Sequence, residues 1–577
     1  MKTTRLPSLL PTGLCLLTGL LLAACGGDDG EVTSVTVEIW GPEGTDPFPE
    51  FDDSADPELV RFYAFQGNER IADSDADFRD GNITLPPIPY GLDSLLAVSV
   101  TNDPNDPDDR RSYASGATTV RFNAEPGVDP GVLRVFTARV EAFTAAFGMN
   151  DDLDETVPSS FELGSIDGGR AGFTVTELPD GRLVAIGGAS VSISGGATTF
   201  SGFIDTIEVF EPSIGRWRLL TEPGCFEDED ASLEDCAVRI PTPKAFHTAT
   251  LLDDGRIVIV GGLKPLDATA SEFVPVEEVH VLTFASRLEG DIEEVDSFGD
   301  ARRAFHTATP VGDGSFVIVG GIGQAYGTPR FPTEIDRLFI DGDEIIYETS
   351  EIELNTGRAL HATEYFSQIA GGAEHGIIVA GGRTADGVLG STELIYVDGG
   401  DLVIQDGPEM AVPRFGAAVT RLSCPGNDEQ YWALAGGFTA VNGPRVLDGA
   451  NPTNRFETYV PVEFAWFDDE GDHEMSEARA FATAVHFPRS GDILVVGGIG
   501  EDGAPRGDAD RLVQQDARDC ADYFSEAGFI QPIGGVTPRA HAQMVRLPSY
   551  WGYVFGGANG TESLDDGFYF NNNDYSF

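Results

Sequence analysis

Three histidines close similar tetrapeptides, each begun by a basic residue: Lys244-Ala-Phe-His247, Arg303-Ala-Phe-His306 and Arg358-Ala-Leu-His361. Three neutral imidazoles around one open position form the donor set of a catalytic zinc. If the tetrapeptides open strands that line one channel, His247, His306 and His361 could face one another across it. The competing reading packs each histidine within its own repeat. Four further copies of the tetrapeptide carry Phe173, Ala417, Ala482 and Ala542 at that place, so no metal is assigned. Cys225 and Cys236 flank the acidic loop FEDEDASLED and are expected to pair, and Cys424 with Cys520 is the candidate for a second disulfide. Asp73-Ser-Asp75-Ala-Asp77 spaces carboxylates as a calcium loop does, but Phe78 stands where the sharp turn needs glycine. The acidic clusters at 103–109 and 227–235 read as solvated loops that at most hold Ca²⁺ weakly. No Gly-x-Ser-x-Gly, HExxH or P-loop is present, and no catalytic residue is assigned.

The element that must position these residues is an apolar run ending in two glycines, and it occurs seven times. The first glycines are Gly187, Gly261, Gly320, Gly381, Gly436, Gly497 and Gly556, spaced 55 to 74 residues apart. A regular period of this length signals a repeat architecture. Each run is short and rich in Val and Ile, which predicts a buried strand. The glycines suit a tight turn where another backbone passes close by. Upstream, Arg170, Lys244, Arg303, Arg358, Arg414, Arg479 and Arg539 open the seven copies. The distance from basic residue to glycine is 17 or 18 in five copies. In the other two, IAGGAEHG (369–376) and SCPGNDEQ (422–429) lengthen a hairpin turn. Further strand-like runs follow each pair of glycines, as in TIEVFEPSIGRWRLL (206–220). Four strands per repeat, seven times over, predict a seven-bladed β-propeller.

The basic-x-x-His start, the strand ending in Gly-Gly and the later strand with Trp217 resemble Kelch repeats over residues 159–577. The resemblance implies the fold and leaves the function open, because propellers carry many unrelated activities. Lys244 departs from the pattern's arginine, and most later blades lack its Tyr and Trp. Kelch propellers of the galactose-oxidase type use copper with a Tyr joined to a free Cys, for which no constellation stands out. The sialic-acid mutarotase type uses an arginine and an acid in its pocket, and both residue types are abundant here. Ser165-Ile-Asp167-Gly-Gly169 resembles the start of a sialidase Asp-box, but Ala171 and Gly172 replace the Thr and Trp that complete it. The run SSFELG (159–164) is expected to supply the outer strand of the last blade and so close the ring.

Residues 1–24 read as an export signal, with Lys2 and Arg5 ahead of an apolar stretch. Leu22-Ala23-Ala24-Cys25 resembles the lipobox of bacterial lipoproteins. This implies cleavage before Cys25, lipid on its sulfur and a tether over 25–31. Gly26 in place of Asp favours the outer membrane by the same analogy. Alternating strands over 32–148 predict a small β-sandwich of immunoglobulin-like type, joined by 149–158 to the propeller at 159–577. The net charge of −59 excludes nucleic acid and anionic lipid headgroups as partners. Together these readings predict an all-β, lipid-anchored envelope protein. Its long Gly- and Asp-rich loops (189–203, 263–276, 438–454, 500–510) would bind a protein or glycan. The alternative is a carbohydrate-active enzyme, mutarotase-, epimerase- or oxidase-like, in the propeller channel.

Overall fold

The computed structural model describes residues 141–149, 156–160 and 169–572, together with eight strands between Leu17 and Arg139. Breaks inside 169–572 fall at 226–230, 267–272, 296–301, 325–328, 342–343, 368–374, 424–429, 468–473, 489, 514–528, 548 and 550. Every extended regular element among them is a β-strand. Seven four-stranded antiparallel sheets follow one another as the blades of a propeller. The first blade comprises Thr174–Glu177, Leu183–Ile186, Ile207–Glu211 and Arg216–Leu219. Its second strand is buried throughout, as are Ile257–Val260, Ile493–Val496 and Gly552–Phe555, because other blades cover both of their faces. This is why these strands are unbroken apolar runs rather than alternating ones. The first strands of neighbouring blades lie side by side around the axis.

Each blade is stapled internally by its opening cation. Arg358 is fully buried and donates from Nη1 to the carbonyls of Gly381 (3.0 Å) and Ser391 (2.9 Å) and from Nη2 to Glu393 (2.6 Å). Arg303 does the same with Gly320 and Asp336, Arg414 with Gly436 and Glu457, and Arg479 with Gly497 and Asp510. Arg170 pairs with Glu208, and Arg539 with Asp566. The guanidinium thereby ties the end of the second strand to the third. The second blade changes both partners together: Lys244 Nζ lies 3.2 Å from His280 Nδ1. Burial lowers Lys244 to about 8 and His280 to about 4.

The ring closes with strands from both ends of the chain, but not with the expected one. Ala142–Ala145, not 159–164, forms the outer strand beside Gly567–Asn571. Two aromatic anchors account for the choice. Phe143 packs on Phe570 with centroids 5.0 Å apart, and Phe147 meets Tyr569 edge-on at 5.8 Å. This strand lies within the stretch read as the preceding domain. Only two residues separate it from Ala138–Arg139, which pairs with Ser112–Arg121.

The N-terminal strands form two sheets. One orders Leu17–Ala23, Thr33–Trp40 and Val132–Phe136; the other has five strands. The apolar run Leu17–Ala23 is therefore an edge strand, paired to Thr33–Trp40. Asp73, Asp75 and Asp77 fall in the strand Glu69–Asp77, paired with Leu59–Gln66, so their backbone is extended rather than looped as a calcium site requires.

Replacing Arg358 with Ala is expected to lower stability by about 3–5 kcal/mol, because Glu393 then stays buried without its cation. Converting both residues to apolar ones should recover much of the loss. Urea-unfolding midpoints of the single and double variants check this, and a single variant within about 0.5 kcal/mol of wild type would refute the staple.

Candidate functional site

Two residues after each opening cation the backbone turns left-handed. The residues are Gly172, Phe246, Phe305, Leu360, Gly416, Phe481 and His541, with φ between 54° and 63°. Five of them carry side chains, for which this region costs roughly 1–2 kcal/mol each. Inter-blade hydrogen bonds offset the strain. The amide of Phe246 donates to Gly172 O (2.7 Å), Phe305 to Phe246 O (3.2 Å), Leu360 to Phe305 O (3.3 Å), Gly416 to Leu360 O (3.1 Å), Phe481 to Gly416 O (2.7 Å) and His541 to Phe481 O (3.2 Å). The side chains converge on the axis. Ring centroids are 4.5 Å apart for Phe246 and Phe305, 5.8 Å for Phe246 and His541, and 4.4 Å for Phe481 and His541. Glycine is required at the two bare positions: a Cβ on Gly172 would stand 2.7 Å from the Phe246 ring, and one on Gly416 2.5 Å from Phe481.

Two of the loops expected to bind a partner cover this aromatic plug. Ala189–Ser194 and Ala197–Phe203 form a hairpin, as do Phe438–Val441 and Gly449–Pro452. Phe200 packs on Phe246 and Phe273. Gly196 N donates to Gly503 O (2.8 Å), Ile193 N to Asn559 O (3.1 Å) and Arg445 Nη1 to Thr198 O (3.2 Å). Val191, Ile193, Phe438, Val446 and Leu447 are buried in the same apolar cluster as the plug. The long variable loops of 189–203 and 438–454 thus hold one another, because their Val, Ile and Phe residues find more apolar surface there than in solvent.

On the other side of the plug lies a cavity of about 320 Å³, bounded by the plug and by Thr174, His247, His306, His361 and Gln543. Half-buried residues of the first strands wall the channel beyond it. The channel is therefore a cup with an aromatic floor and a wall bearing hydroxyls.

The three histidines do line this cup, but they face sideways rather than toward a common point. His247 Nε2 is 2.9 Å from Thr174 Oγ1, His306 Nε2 3.0 Å from Thr248 Oγ1, and His361 Nε2 3.0 Å from Thr307 Oγ1. Each bond joins a blade to its predecessor. The first glycine of each preceding blade makes room for the ring: a Cβ on Gly187 or Gly261 would lie 3.0 Å from histidine Cε1, and one on Gly320 2.7 Å. Burial drives His306 and His361 down to about 3 and His541 to about 4, and pushes His247 well below its ordinary value, so all four are neutral. Among the described residues, no three His, Cys, Asp or Glu side chains come together to hold a metal ion.

Farther along the wall stands a pair that sequence reasoning did not single out. Arg421 Nε donates to Glu364 Oε1 (3.0 Å), and its Nη2 donates to Glu364 Oε1 and to Tyr365 O (2.6 Å). Burial raises the Glu364 carboxyl against the pull of Arg421. Tyr365 Oη is 2.7 Å from His375 Nδ1. The only available signal was an acid and an arginine at adjacent positions of the fourth and fifth first strands. Elsewhere, Cys225 and Cys236 form the expected disulfide, with Cα atoms 5.6 Å apart. Cys25, Cys424, Cys520, Ser165, Asp167 and the cluster at 103–109 lie outside the described residues.

No protein-family model matches this chain, and no curated protein matches it. Among solved structures it is similar to that of YjhT, at 13% identity and a TM-score of 0.40, covering 64% of this chain and 99% of that one. It is also similar to a fungal alcohol oxidase of the AA5 family in complex with copper, at 13% identity and a TM-score of 0.46, covering 70% of this chain and 75% of that one. The seven-bladed assignment rests on the strand pairing itself.

The neutral histidines fix a pH response. A histidine buried neutral contributes stability that is fully present above its unfolded pKa near 6.5 and is lost as pH falls toward its folded value. Urea midpoints are expected to hold between pH 8 and 7 and to fall steeply from about pH 6 to pH 4. A flat profile over that lower range would contradict the burial of these rings.

Proposed function

We propose that this is a Kelch-type, lipid-anchored binding module of the bacterial cell envelope, and that its ligand is a glycan held in the cup of the central channel. The observation that carries the reading is the cup itself. Hairpin loops seal one end, aromatic rings form the floor, and Thr174 and Gln543 sit on the wall. Apolar concave pockets of about 300 to 1,000 Å³ with a few convergent polar groups are the usual form of small-molecule sites. Sugars suit such a site because their C–H faces stack on aromatic rings while their hydroxyls hydrogen-bond. The N-terminal sheets act in this reading as a sandwich that holds the propeller off the outer membrane, with Cys25 carrying the lipid. Cleavage before Cys25 would remove the edge strand Leu17–Ala23 and leave Thr33–Trp40 paired to Val132–Phe136.

A second reading has one observation in its favour. The raised carboxyl of Glu364 beside Arg421 in the channel wall is an acid with a cationic partner, the kind of pair that can move a proton on a sugar. An envelope enzyme would lose turnover in Glu364→Gln with binding retained, whereas a binding module has no turnover to lose.

Phe246→Ala is expected to weaken glycan binding about tenfold while unfolding stays cooperative, since an aromatic contact is worth ~0.5–1.5 kcal/mol beyond its area. Titration calorimetry against a panel of oligosaccharides measures it; unchanged affinity would place the ligand elsewhere. Cys25→Ser is expected to shift the exported protein from the membrane fraction to the soluble one. Retention at the wild-type level would overturn the lipid anchor.

A further inference from the structure

The Thr–His pairing holds at the first three junctions of the ring and is replaced at the other four, and at one of these a space opens. At the first three junctions a threonine of one blade and a histidine of the next fill the wedge between first strands. Between the fourth and fifth blades those positions are Ala362 and Ala417. A cavity of about 170 Å³ occupies this wedge. Apolar atoms of Leu360, Ala362, Ala380, Ala417, Val419 and Leu434 line it. Several polar groups beside it are engaged: Thr363 with Thr309 (2.7 Å), Thr307 with His361 Nε2 (3.0 Å), and Arg414 with the carbonyls of Gly436 and Arg455 (2.9 Å each). The surface left for an occupant is mixed, with somewhat more hydrocarbon than polar surface. The wedge shares Leu360, His361, Gly416 and Ala417 with the cup, so the two spaces adjoin. Val419 is 38% exposed, unusually high for an aliphatic side chain on a channel strand.

We propose that this wedge is a side pocket of the channel that takes a compact apolar arm, a phenyl ring or a branched alkyl group, carried by the glycan bound in the cup. The proposal rests on the reading of the cup as a ligand site. The size argument is direct: a dry apolar cavity of roughly 150 Å³ holds benzene. At the first three junctions the bonded Thr–His pair stands in the same place, so a pocket here makes the channel one-sided and orients the ligand.

The test compares phenyl and methyl glycosides of the same sugar by calorimetry, with benzyl alcohol as a probe that carries no sugar. Wild type is expected to bind the phenyl glycoside at least tenfold more tightly than the methyl glycoside. Ala362→Leu fills the wedge without touching the cup, and is expected to erase that preference and the saturable binding of benzyl alcohol while leaving the methyl glycoside unaffected. If Ala362→Leu does not fold, Ala362→Thr restores the residue found in the first three blades and serves the same purpose. Equal binding of the two glycosides by wild type, or a preference that survives in the filled variant, overturns the pocket. Benzyl alcohol bound by wild type, lost in the variant, with no glycoside bound by either, keeps the pocket and sinks the glycan reading. Failure of benzyl alcohol and both glycosides to bind sinks both.

Discussion

A buried cation needs a partner, and in this ring that need organises every blade. The opening basic residue of each repeat lies in a place from which water is excluded, where an unpaired charge costs several kcal/mol. Five of the seven meet the requirement with a carboxylate of the third strand and Arg539 with Asp566 just before it, and all six also with the carbonyl that precedes the second glycine. The second blade meets it differently, by pairing a lysine with a histidine. Such pairs add little net stability over well-packed apolar residues, but they fix which segment may sit against which. The chain cannot slide by two residues without stranding a charge. The sevenfold regularity of the fold follows from that specificity more than from the strength of any one contact.

The same fixed geometry makes the centre of the ring. Because each cation holds its chain in place, the residue two positions later turns inward in a left-handed conformation, and successive turns bond to one another across the blades. Phenylalanine rings then plug the axis, and hairpins cover the plug. What remains accessible is a cup rather than a pore. Its chemistry is set by departures from the repeat: glycine at 172 and 416, alanine at 362 and 417, and a glutamate–arginine pair on two strands only. Function in a repeated scaffold resides in the positions that fail to repeat.

Much of this was legible in the sequence. The double glycines, the cations ahead of them and the Asp-Gly turns between them gave the number of blades and the register of their first two strands. The disulfide of Cys225 and Cys236 followed from a short loop between two cysteines. The closing strand was not legible, because a four-residue segment such as AFTA carries no signal beyond one aromatic residue, and 159–164 looked equally suitable. The packing of the long loops was not legible either, because it is decided by a few scattered apolar residues, Val191, Phe200, Phe438 and Leu447. The histidines were placed in the channel correctly, but which way each ring turns depends on a threonine about 55 to 75 residues away. The glutamate–arginine pair involves two residues of common type, 57 positions apart, and only the fold brings them together.

The strand that closes the ring is joined to the N-terminal sheets by two residues, Val140 and Glu141. Glu141 donates its amide to Asn571 O (2.6 Å), so the short connection is itself tied to the last blade. A chain held at its N-terminal end and loaded through the propeller therefore directs the force into one four-residue strand, the seam where the circle is completed. No slack intervenes to absorb it. Tension and ring integrity become one variable: the strand that joins the propeller to the N-terminal sheets is also the clasp that keeps the seven blades a closed circle.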